Sequence, residues 1–111
     1  MRKAAVGFRE WTIRCDAFPM GQFFRFTSEI GARHCDRRSG GHRRWRRIIG
    51  QGYVIWLTDV TLADSSCDPP VWKFRLETLT QLNAAGQETW DEIVAALNRW
   101  CERLGLRYEV S

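Results

Sequence analysis

Apolar and polar residues alternate along several stretches of this 111-residue chain, and one stretch repeats at helical spacing. In residues 8–15 (FREWTIRC), Trp11, Ile13 and Cys15 share one face, the pattern of a strand. Residues 16–21 (DAFPMG) carry Pro19 and Gly21 and read as a turn. Residues 22–28 (QFFRFTS) are aromatic and β-prone. Residues 52–62 (GYVIWLTDVTL) form the strongest strand candidate, and residues 63–70 (ADSSCDPP) a loop. Residues 71–77 alternate cleanly: Trp72, Phe74 and Leu76 face one way, Lys73, Arg75 and Glu77 the other, as in a strand with one solvated face. Residues 78–86 fit either an extension of that strand or a short helix ending at Gly86.

The helical stretch runs from about 90 to 104. Trp90, Ile93, Val94, Leu97, Trp100, Cys101 and Leu104 recur at i, i+3, i+4 spacing and make one apolar stripe. Thr89 is placed as an N-cap, with Glu92 completing a capping box. Gly105 stands where a left-handed C-cap is expected. Leu106, Tyr108 and Val110 then alternate as a final short strand. Strands followed by one amphipathic helix and a last strand predict an α+β fold. It consists of an antiparallel sheet of about four to five strands with the C-terminal helix packed on one face.

Composition adds limits. The chain is 44% hydrophobic and 27% charged, which excludes a wholly disordered or collagen-like polymer. Its length predicts a single domain over residues 1–111. Six Trp and six Phe can fill a two-layer core, since each ring buries roughly 150–250 Å². The longest apolar run, residues 53–57, is far short of the roughly 20 residues that a membrane helix needs. The basic start, Met1-Arg2-Lys3, lacks an apolar signal core because Gly7, Arg9 and Glu10 interrupt it. A cytoplasmic location is expected. Cys15, Cys35, Cys67 and Cys101 form no CxxC pair and read as free thiols.

Charge changes the picture more. The net +4 is not spread along the chain. Residues 33–47 hold seven arginines (Arg33, Arg37, Arg38, Arg43, Arg44, Arg46, Arg47) against Asp36 alone, giving +6; the remaining ten basic and twelve acidic residues give −2. A focused positive charge suits a polyanion or an acidic partner. Arginine also grips phosphate in bidentate fashion. Gly40-Gly41 is a two-residue turn signal, so residues 33–47 are expected as a basic hairpin or loop. Such a turn would set Arg38 opposite Arg43 and Arg37 opposite Arg44, a repulsion that a bound anion would relieve. Trp45, inside the run, is of the type that stacks on a base while neighbours hold phosphates, or that packs into a core.

Candidate chemistry is sparse. His34, Cys35 and His42 offer three metal-ligating side chains, one fewer than a structural zinc site needs, among arginines that oppose a dication. Cys35 beside His34 could ionise readily, but no oriented base or oxyanion site accompanies it. Asp59, Asp64 and Asp68 have the spacing of turn residues, and Glu10, Glu77 and Glu109 lie in separate strands. Phosphate loop, Rossmann fingerprint, zincin helix, RNP consensus, GXXG clamp and zinc-finger spacing are all absent. The expectation is therefore a small non-catalytic binding protein without metal or cofactor. It engages nucleic acid, or the acidic surface of a nucleoprotein complex, through Arg37, Arg38, Arg43, Arg44, Trp45, Arg46 and Arg47, away from membranes. The alternative is a protein–protein interaction module, such as a small phage- or bacterium-encoded inhibitor or adaptor.

Overall fold

The computed structural model describes residues 6–35 and 45–111, and the backbone alone at residues 33–35 and 45. Among the described residues the chain runs β1 (Gly7–Arg14), α1 (Met20–Glu29), β2 (Arg33–Cys35), β3 (Trp45–Gly50), β4 (Tyr53–Thr58), β5 (Thr61–Asp64), β6 (Val71–Thr78), α2 (Ala84–Arg103) and β7 (Arg107–Val110). The strands join in the order β2-β3-β4-β6-β1-β7, and β5 also pairs with β6. Every ladder is antiparallel. The architecture is the expected α+β sheet carrying a C-terminal helix, with more strands than the four to five expected.

Both helices lie on one face. Trp11, Ile13, Ile55, Leu57, Phe74 and Leu76 of the sheet are buried against Trp90, Ile93, Leu97, Trp100 and Cys101 of α2 and Phe23 and Phe26 of α1. The core is aromatic. Phe74 stacks on Trp11 at 5.3 Å between centroids, and Phe23 lies 5.0 Å from Phe74 and 5.5 Å from Trp100. The Trp11 indole Nε1 donates to Asn98 Oδ1 at 2.9 Å, which satisfies its one polar atom and fixes α2 over β1.

Three expectations are corrected. Residues 22–28 are not a strand: they belong to α1. Phe23, Phe26, Thr27 and Ile30 recur at i, i+3, i+4 and i+7, and the first three are buried; that helical stripe outweighs the β-propensity of the aromatics. The C-terminal helix starts at Ala84, not near residue 90. Its cap is Asn83, whose side chain accepts from Gly86 N at 2.8 Å. Thr89 lies inside the helix, hydrogen-bonded to the Tyr53 hydroxyl at 2.9 Å. Gly86 is not a terminator. The Tyr53 ring packs so close that an added Cβ would stand 3.0 Å from its Cγ. At the other end the reading holds. Gly105 has φ +68°, and bonds from Gly105 N to Glu102 O and Leu106 N to Cys101 O close a Schellman motif.

The third correction is the long strand over 52–62, which is two strands. β4 and β5 run end to end along the same side of β6. Asp59 and Val60 part them, and the register slips by one residue between Leu57↔Leu76 and Thr61↔Lys73. This is bulge geometry. The Thr58 hydroxyl accepts from Arg75 N at 2.7 Å, standing in for a ladder carbonyl.

Candidate functional site

β2 is one edge of the sheet, and β3 lies beside it. Arg33 pairs with Arg47, His34 with Arg46 and Cys35 with Trp45. An uninterrupted ladder from a two-residue turn at Gly40-Gly41 would instead set Cys35 opposite Arg46, so the observed register is offset by one. The expected facing pairs, Arg38 with Arg43 and Arg37 with Arg44, lie outside the described residues, as do Asp36, Gly40-Gly41 and His42.

The two candidate arginines with described side chains part company. Arg46 is 12% exposed; its Nη1 donates to Asp59 Oδ1, and its guanidinium lies 4.5 Å over the Phe24 ring. It thus braces β3 against the β4–β5 bulge and α1. Arg47 is half-buried and stands opposite Trp56 on the other face. Strand alternation separates them. Ile48, Leu57 and Leu76, the neighbours of Arg47, Trp56 and Glu77, are all buried beneath the helices.

That second face carries no helix among the described residues. One row of register partners crosses it through five strands: Phe8 on β1, Glu77 on β6, Trp56 on β4, Arg47 on β3 and Arg33 on β2. Phe8 is 45% exposed, and the Arg75 guanidinium covers one side of its ring at 4.6 Å. Glu77 is buried at 3% exposure and lies 3.5 Å from Arg75 Nε. Glu10 balances the other side, 3.5 Å from Arg75 Nε and 3.4 Å from Lys73 Nζ. Arg75 Nε is buried at ion-pair rather than hydrogen-bond distance from both carboxylates.

Two depressions flank the row. One, about 480 Å³, is mainly apolar, with Ile49, Val54, Trp56 and Leu79 in its wall. The other, about 380 Å³, opens at the bulge between Glu10, Thr58, Thr61, Lys73 and Arg75. Ile49 is 61% exposed, high for an aliphatic side chain within a ladder. The sequence did not reveal this face, because its residues come from separate strands that only sheet pairing brings into one row. The signal was present in the two-residue spacing that puts Phe8 with Glu10, and Val54 with Trp56, on the face opposite Trp11, Ile13, Ile55 and Leu57.

Among the described residues, no group of three or more His, Cys, Asp or Glu side chains is placed to hold a metal ion. The described thiols are not activated. Burial pushes the Cys101 thiol up to about 12, burial and then Asp16 raise Cys15, and the Asp64 hydrogen bond raises Cys67. Hydrogen bonds from Ser66 and Cys67 hold the Asp64 carboxyl low, as part of its turn. No described helix is long and apolar enough to cross a membrane. Neither a family model, a curated protein nor a solved structure matches this chain.

Proposed function

We propose that this chain is a small non-catalytic binding protein whose basic segment, residues 33–47, engages nucleic acid. The observation that carries the reading is the +6 charge in fifteen residues, against −2 in the rest. Its ends are adjacent antiparallel strands at one sheet edge. An array of arginines on an edge ribbon suits the phosphate backbone, where each contact releases a counterion. Arg47 adds to that array, whereas Arg46 is occupied by Asp59.

The test compares purified wild-type protein with a variant carrying Arg37, Arg38, Arg43 and Arg44 changed to Ser. Binding to a labelled 20-nucleotide oligonucleotide is followed by fluorescence anisotropy. The variant is expected to lose at least about tenfold in affinity with its near-UV circular dichroism unchanged. Equal affinity for both proteins sinks the proposal. A second reading, a protein-interaction module, draws on the exposed apolar residues Phe8, Ile49 and Leu62. Affinity capture with and without nuclease separates the two, since a partner retained after digestion favours the second.

A further inference from the structure

The sheet face opposite the two helices, which carries no helix among the described residues, is more than the back of a two-layer fold. We propose that it is a stacking platform for single-stranded nucleic acid, in a row that ends on Arg47 of β3 and the register position of Arg33 on β2; this rests on the nucleic-acid reading above and specifies the form of the ligand.

The row from Phe8 to Arg47 spans three inter-strand spacings, about 15 Å in all. At one end is an exposed aromatic ring. At the other, Arg47 of β3 is the register partner of Arg33 on the edge strand β2. Between them Trp56 walls the apolar depression shared with Ile49, Val54 and Leu79. Unstacked bases present apolar faces that such a surface can cover, while the phosphates joining them meet guanidinium groups. A duplex keeps its base faces inside the stack and offers this surface only a charged backbone.

Charge on the face favours this occupant over an apolar protein segment. Glu77 is buried and lies 3.5 Å from Arg75 Nε. Glu10 is held between Lys73 and Arg75. The cations Arg47, Arg75 and Lys73 keep partial exposure. The Arg75 guanidinium already lies over the Phe8 ring at 4.6 Å, a cation–π contact. A base arriving on the outer side of Phe8 would extend that stack rather than break it.

The experiment measures affinity for a 12-nucleotide oligo(dT) and for a duplex of equal length. It uses wild-type protein, Phe8→Leu, Phe8→Tyr, and the variant with Arg37, Arg38, Arg43 and Arg44 changed to Ser. Phe8→Leu retains apolar area and removes the ring, and Phe8→Tyr retains the ring. Near-UV circular dichroism and melting temperature report the fold. The platform predicts that wild type prefers the single strand by at least about tenfold. Phe8→Leu then loses about five- to a hundredfold for oligo(dT) alone, Phe8→Tyr stays near wild type, and the four-arginine variant weakens on both ligands. Equal binding of single strand and duplex, or an unchanged affinity for oligo(dT) in folded Phe8→Leu, overturns the platform and leaves the basic-edge reading standing. No binding of either ligand by wild type overturns both. Concentration-dependent dimerisation abolished by Phe8→Leu would assign the face to a second copy of this chain and overturn the proposal.

Discussion

Arg46 and Arg47 are neighbours in the chain and opposites in the fold. Arg46 holds Asp59 and covers Phe24, whereas Arg47 stands on the face away from the helices, opposite Trp56. Charge along a sequence is one-dimensional, so the two read as equivalent members of one run. Separating them needs the Asp59 carboxylate, which the β4–β5 bulge turns toward Arg46, and no local pattern announces that bulge. Arg46→Ala should therefore cost about 1–3 kcal/mol of stability, from a charged hydrogen bond and a ring contact. Arg47→Ala should stay within about 0.5 kcal/mol of wild type. Urea unfolding of the two variants checks the difference, and equal losses would mean that Arg46 is not a brace. Cys101 gives a second residue-scale expectation. Its thiol, raised to about 12 by burial, stays protonated in the folded protein while an unfolded thiol ionises near 9. The contribution of this group to stability is thus complete below pH 9 and is lost as pH rises from there toward 12. Alkylation at pH 8 should modify Cys67 in the native protein, whereas Cys101 should react only after denaturant is added.

At the scale of elements, β1, β6, β7 and the apolar stripe of α2 were legible because each is written in local alternation or local periodicity. Trp90, Ile93, Leu97, Trp100 and Cys101 are buried as the stripe requires. Leu97→Ala is expected to cost about 2–5 kcal/mol, against little for the exposed Arg99→Ala; similar losses in thermal melts would put the wrong face inward. The start of α2 was misread because Gly86 and Thr89 look like terminus signals. Both instead serve Tyr53, one by leaving room for its ring and one by bonding its hydroxyl. Asn83 is the true cap, and its Nδ2 also donates to Gln51 O at 3.1 Å, tying the helix start to the β3–β4 turn. Asn83→Ala should accordingly destabilise by about 0.5–2 kcal/mol, and a melting temperature equal to wild type would remove that role. The α1 stripe of Phe23, Phe26 and Thr27 was also in the sequence. It was masked by a composition that suits strands, and tertiary contacts with Phe74 and Trp100 decide the matter.

For the molecule as a whole, the layer arrangement follows from burial. Two amphipathic helices cover one side of a mixed apolar and polar sheet, and among the described residues the other side is left to Phe8, Ile49, Val54 and Trp56, with their flanking charges. The arginine concentration was plain in the sequence. The place of Arg33 and Arg47 in one row with Trp56, Glu77 and Phe8 was not, because that row draws on five strands that only pairing brings into line. The central claim is that arginines of the basic segment contact phosphates. The most direct test is the dependence of oligonucleotide affinity on salt, measured with wild-type protein from about 50 to 200 mM NaCl. With four to six phosphate contacts, log K should fall against log salt with a slope of about −3 to −5. A measurable complex with a slope near zero would contradict the account.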